Sequence, residues 1–240
     1  MRIIPVALFV ILFLIIGIPV LGIEWLIGKI SKKTMDYSSL RIVQWAFKVI
    51  IRLAGIELTV IGEENVPDEP VLFIGNHRSY FDIVITYARC RNLTGYIAKK
   101  EMLSIPLLRT WMKRLYCLFI NRDDVKEALK TILAGIDHIK NGISMCIFPE
   151  GTRSRTGHML PLLGGASLLA LKSGCDVVPI YIEGSYKPFH RMIVHVGRPV
   201  EMADLRAGRM NRETCDELTR RMEAEFAQLS GGKSLPPAEA

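Results

Sequence analysis

Asn76-His77-Arg78-Ser79-Tyr80-Phe81-Asp82 sets an imidazole and a carboxylate five positions apart. The stretch follows a short apolar run at 71–74, Val-Leu-Phe-Ile, which reads as a buried strand ended by Gly75. A strand, a sharp turn and a helix from about Tyr80 would display the imidazole at the carboxyl edge of an open sheet. Imidazole titrates near neutrality and can accept a proton there. A carboxylate on its far nitrogen fixes the tautomer and stabilises the imidazolium. His77 and Asp82 are therefore a candidate base and orienter, like the base-plus-orienter pair of a catalytic triad. If Ser79 is not a nucleophile, the attacking group must come with the substrate, most simply as a hydroxyl. The plainer alternative is a hydrogen bond at a helix start with no chemistry attached.

A second stretch, Ile147-Phe148-Pro149-Glu150-Gly151-Thr152-Arg153-Ser154, closes the apolar run at 143–148. Gly151 permits close approach of backbone to a ligand. Backbone amides beyond it, with Arg153, can hold a phosphate through charge-assisted, bidentate bonds. Glu150 could bind a hydroxyl or lock Arg153. The plainer alternative is a tight turn with an internal Glu–Arg pair. Two more cations follow strand-like runs: Lys100 after 95–98 and Arg122 after 116–120. If those strands are parallel neighbours, His77, Lys100, Arg122 and Arg153 share one sheet edge. One base and up to three cations suit deprotonation of a hydroxyl on a phosphorylated substrate.

The elements that must position these residues alternate. Strands are expected at 56–61, 71–74, 95–98, 116–120, 143–148, 177–182 and 193–196. Helices are expected from about Tyr80 to Ala88, over 106–115, from a cap at Asp123 or Asp124 to about Lys140, over 161–173, and over 211–229. The fold class is α/β, with a largely parallel or mixed central sheet flanked by helices. Residues 56–229 form the catalytic body, and 230–240, rich in Gly and Pro, read as a disordered tail.

Ahead of the body, Ile3 to Ile23 carries no charge, about 21 positions and enough to cross a bilayer. A signal peptide is the rival reading, but Leu21-Gly22-Ile23-Glu24 offers no small-x-small cleavage site. Gly17 and Pro19 leave a kinked half-insertion open. A second helix, capped by Ser38 or Ser39 and stopped by Gly55, is either interfacial or core-facing, since Trp45 shares it with Arg41, Lys48 and Arg52. Residues 1–55 thus read as a membrane-associated helical hairpin. Lys29, Lys32, Lys33 and Arg41 follow the apolar run while Arg2 alone precedes it, which places the body on the cytoplasmic side.

The 240 residues are 50% hydrophobic with a formal net charge of +7. That charge points to an anionic partner: nucleic acid, acidic lipid or a phosphorylated substrate. The basic residues are scattered and lack interleaved aromatics, so nucleic acid is not expected as a partner. Five cysteines without a Cys-x-x-Cys read as reduced thiols, neither a disulfide frame nor a zinc site.

Asn-His-x4-Asp followed some seventy residues later by Phe-Pro-Glu-Gly-Thr-Arg-Ser resembles the glycerolipid acyltransferase family, in particular the lysophosphatidic acid acyltransferases. The likeness covers about 56–200. It extends to Leu118-Phe119-Ile120-Asn121-Arg122, to Val178-Pro179-Ile180-Tyr181, and to Lys100 before a Glu-apolar pair. It implies acyl transfer from acyl-CoA or acyl-carrier protein to the glycerol hydroxyl of a membrane lysophospholipid. His77 is then the base and Asp82 its orienter. Lys100, Arg122, Glu150, Gly151, Thr152 and Arg153 line the substrate. No metal and no cofactor is implied beyond the acyl donor. Asn121 stands where the family usually has aspartate, and Leu163-Gly164 where it often has lysines, so another lysolipid acceptor stays open. Hydrolysis of the thioester is a further alternative, although no Gly-x-Ser-x-Gly elbow is present.

Overall fold

A computed structural model describes residues 2–156 and 158–232. Helix α1 (Ile3–Ile30) and helix α2 (Lys32–Ala54) are separated by Ser31 alone. Then follow β1 (Glu57–Ile61), β2 (Leu72–Gly75), α3 (Phe81–Tyr87), β3 (Thr94–Lys99), α4 (Pro106–Arg114), β4 (Leu118–Ile120), α5 (Val125–Lys140) and β5 (Ser144–Ile147). The chain closes with α6 (Gly165–Ser173), β6 (Val177–Gly184), β7 (Arg191–Val196), α7 (Ala203–Ala207) and α8 (Arg212–Leu229).

The seven strands form one sheet in the order β1-β7-β6-β2-β5-β3-β4. Strands β2 to β6 all run parallel; β7 is antiparallel to β6, and β1 is parallel to β7. The sheet is mixed, as the alternation of runs predicts. Strand alternation decides which helices cover which face. Leu72, Ile74, Met145, Ile147 and Val177 pack against Ile136 of α5, Leu169 of α6 and Phe226 of α8. Their neighbours Val71, Cys146, Phe148, Val178 and Ile180 face α2, α3 and α4 on the other side. Because β2 lies between β5 and β6, its carboxyl end is the natural convergence point of the sheet.

The hairpin is packed on that second face. Phe9 meets Trp45 with ring centroids 6.0 Å apart, and Phe13 meets Trp111 of α4 at 5.5 Å. Gly17 lies against the same indole: a Cβ there would come within 2.9 Å of its Nε1. Helix α2 buries Leu40, Val43, Ala46, Ile50 and Ile51, and its Gln44 Nε2 donates to the Cys90 carbonyl at 2.5 Å. The expected cap at Ser38 or Ser39 is displaced to Ser31, whose hydroxyl accepts from the Thr34 amide. Ser38 and Ser39 instead donate to the two oxygens of Glu24, at 2.5 and 2.9 Å. Glu24, the one acidic residue of α1 and 2% exposed, needs those donors to be buried at all.

The helix expected from Pro161 begins only at Gly165. Residues 160–163 are laid across the loop after β5, with the Leu160 amide on Glu150 at 2.8 Å and the Leu163 amide on the Pro149 carbonyl at 2.9 Å. Sequence periodicity does not register such non-local backbone pairing. Asp124 and Asn211 cap α5 and α8 as their types predict. Ser230 closes α8, and of the tail expected from residue 230, positions 233–240 lie outside the described residues.

Candidate active site

Gly75 ends β2, and Asn76 then continues the ladder with its side chain. Its Nδ2 donates to the Ile182 carbonyl at 3.0 Å and its Oδ1 accepts the Ile182 amide at 2.7 Å. An amide side chain reproduces both halves of a backbone pair, so the chain leaves the sheet one residue later at a fixed angle. His77 follows. Its Nδ1 lies 3.0 Å from Asp82 Oδ2, and its ring stacks on Phe148 with centroids 4.2 Å apart and planes within 16°. Phe148 is the first residue past β5, so two neighbouring strands hold the imidazole. With Nδ1 taken, Nε2 is the nitrogen left to meet a ligand.

Asp82 sits in the first turn of α3 and is fully buried. Its Oδ2 also accepts the amides of Arg78 at 2.7 Å and Ser79 at 2.8 Å, and its Oδ1 takes the hydroxyl of Tyr186. Both oxygens of this buried carboxylate are thus occupied by donors.

Glu150 is 5% exposed and works on the backbone rather than on Arg153. Oε1 accepts the His77 amide at 2.5 Å and Oε2 the Leu160 amide at 2.8 Å. It therefore staples the loop after β5 to the loop after β2. The Ser154 amide on the His77 carbonyl at 2.8 Å adds a second staple. Burial pushes the Glu150 carboxyl up to about 7. Because that lies above the 4.5 of a free glutamate, its contribution to stability is complete below the lower value and declines as pH rises to the upper one. Urea midpoints should thus fall across that window in the native protein. The same window should be flatter in Glu150→Gln, which does not titrate.

Gly151 adopts φ 72° beneath Leu163, whose Cδ1 would stand 2.7 Å from any Cβ added there. Only glycine fits on both counts. Thr152 and Arg153 are exposed, and the Arg153 guanidinium lies 4.0 Å from the centre of the Tyr80 ring. Stacking on an aromatic face holds the cation while leaving its N–H edges free. Tyr80 belongs to the loop that carries His77, so the loops after β2 and β5 meet where the guanidinium is held.

Lys100 and Arg122 share this edge but lie farther along it. They follow β3 and β4, two and three strands from β2 in the sheet order, or about 10 and 14 Å at the usual strand spacing. Lys100 Nζ donates to Asn121 Oδ1 at 2.6 Å and lies 3.8 Å from Asp123. Arg122 is exposed in the adjoining turn. The site thus divides into a bonded group of His77, Asp82 and Glu150, Arg153 on the ring of Tyr80, and an outlying pair of cations. Sequence reasoning missed Tyr186, which lies 104 residues from Asp82 in the loop between β6 and β7. It also gave no role to Arg78, whose guanidinium bonds the Ile182 carbonyl at 3.0 Å. No local pattern marks either contact.

An open α/β sheet with a braced histidine–carboxylate pair and cations along its carboxyl edge defines an enzyme of the α/β class. A family model for Acyltransferase matches residues 57–183, more than half of the chain, and the chain belongs to that family. It is 28% identical over 207 residues to a 1-acyl-sn-glycerol-3-phosphate acyltransferase of Saccharomyces cerevisiae, covering 80% of this chain and 68% of that one. A protein of the same name from Pseudomonas aeruginosa is 32% identical over 150 residues, covering 62% and 57%. The chain spans 59% of the length of a third such protein, from Borreliella burgdorferi, at 30% identity over 61% of this chain. The crystal structure of the 1-acyl-sn-glycerophosphate (LPA) acyltransferase PlsC from Thermotoga maritima shares the fold. The TM-score is 0.74 with 22% identity over 96% of this chain and 97% of that one.

Proposed function

We propose that the protein transfers a fatty acyl group from acyl-CoA or acyl-carrier protein to the free hydroxyl of lysophosphatidic acid, giving phosphatidic acid. The observation that carries this reading is a carboxylate-braced imidazole on the same loop as Tyr80, the ring that holds the Arg153 guanidinium. The names of the relatives supply the acceptor.

In this mechanism His77 Nε2 takes the proton from the glycerol hydroxyl as its oxygen attacks the thioester carbonyl carbon. The carbon–sulfur bond breaks, and the imidazolium returns the proton to the departing thiolate. Asp82 holds the ring and stabilises its cationic form. Arg153 grips the acceptor's phosphate, with Lys100 and Arg122 farther out along the edge. Glu150, Gly151 and Thr152 shape the loop that presents it. Leu163, 58% exposed above Gly151, puts an apolar side chain beside the headgroup. That contact favours an acceptor with few headgroup charges over one with many.

The body works at a membrane surface. Helix α1 is the one helix among the described residues long and apolar enough to cross a bilayer. It runs antiparallel along α2, and α2 is buried against the body, so a transbilayer α1 would carry the charged body into hydrocarbon. An α1 lying in the interface is compatible with both, with Ile4, Leu8, Ile15 and Leu26 toward lipid and Lys32, Lys33, Arg41 and Lys48 of α2 toward anionic headgroups.

A panel of acceptors with one labelled acyl thioester tests the reading. Lysophosphatidic acid should be acylated fastest. Release of free fatty acid at the same rate without any acceptor would replace the transferase by a hydrolase.

A further inference from the structure

We propose that Tyr186 is a positioning residue for this reaction, holding the second oxygen of Asp82 and thereby setting the basicity of His77. The inference rests on the reading of His77 as the base. Three of the four donors on Asp82 come from its own loop and helix start: His77 Nδ1, the Arg78 amide and the Ser79 amide, all on Oδ2. Tyr186 alone reaches Oδ1, and it comes from a different strand connection.

The loop that brings it is built for the purpose. Gly184 has φ 107°, and a Cβ there would stand 2.3 Å from the Arg191 carbonyl. The chain can therefore turn back over the sheet edge only at glycine. Arg78 fixes the far side of the turn, bonding the carbonyls of Ile182 at 3.0 Å and Gly184 at 3.4 Å, with its guanidinium 5.3 Å from the Tyr186 ring centre. Burial beside Asp82 pushes the phenol well above the usual tyrosine range, so it remains a donor wherever His77 titrates.

Each donor on a carboxylate withdraws negative charge from it. Removing Tyr186 leaves Asp82 more negative toward the imidazole and raises the affinity of His77 for its proton. The other groups facing this unit are Arg78 beside the ring of Tyr186 and Glu150 on the His77 amide. Neither side chain contacts Asp82 Oδ1, and Tyr186→Phe keeps the ring on which Arg78 lies.

The test is an NMR titration of the His77 imidazole in detergent-solubilised protein, with kcat/KM measured across the same pH range. In Tyr186→Phe the midpoint should move up by about half a unit to one unit, and the acid limb of the rate profile should move with it. The KM for the acceptor should stay put. In Asp82→Asn the further change of Tyr186 to Phe should add nothing. Site-specific 3-fluorotyrosine at position 186 keeps the shape and strengthens the donor, so it should shift the midpoint down. This variant carries the test if Tyr186→Phe does not fold. An unmoved His77 midpoint in either folded variant overturns the proposal, as does an effect that persists in Asp82→Asn. Failure of His77 as the base would appear separately, as activity retained in His77→Ala.

Discussion

Replacing His77 with alanine should lower acyl transfer by about a thousandfold while the protein still folds. General base catalysis contributes on the order of 10²- to 10⁴-fold. The fold should survive because the imidazole's partners keep other partners. Asp82 retains the amides of Arg78 and Ser79 and the hydroxyl of Tyr186. Phe148 retains its packing against the α2–α3–α4 face. The loss should fall on kcat, since the proton transfer to the ring belongs to the transition state and adds little to ground-state binding of the acceptor. Rates measured beside circular dichroism melts check both halves. Near-native turnover in the folded variant would remove the mechanism altogether.

The second large effect should come from Arg153→Ala. A charge-assisted bond to phosphate contributes about 1.5–3 kcal/mol, so KM for lysophosphatidic acid should rise about ten- to a hundredfold with kcat little changed. Monoacylglycerol, which lacks the phosphate, should be acylated by native and variant protein at similar, low efficiency. Arg153→Lys should fall between, because it keeps the charge but loses both the planar fork and the stacking on Tyr80. An equal loss on both acceptors would assign Arg153 to folding of the loop and not to headgroup recognition.

The body of the fold was legible because its strands are short apolar runs bounded by Gly, Pro or acid, and its helices start at Asp124 and Asn211, which cap as free peptides would. The carboxyl-edge placement of His77, Lys100, Arg122 and Arg153 followed from strand ends alone. What stayed hidden was decided by contacts between distant segments. Ser38 and Ser39 look like caps, yet they serve a carboxylate fourteen and fifteen residues earlier. Pro161 looks like a helix start, yet its neighbours are spent on the β5 loop. Glu150 next to Gly151 and Arg153 invites an ion pair. Its oxygens instead go to two backbone amides, seventy-three and ten residues away.

Asn76 has a consequence for the lifetime of the site. Its side chain fills a rung between β2 and β6 that backbone would otherwise occupy, and Glu150 and Ser154 clamp His77 from the β5 side. The catalytic turn is irregular in shape but cannot fray independently, since opening it means separating strands at the centre of the sheet. Its local unfolding free energy should approach that of the whole domain. On the proposed mechanism the base would stand in place before either substrate arrives, and only the substrates would be left to order.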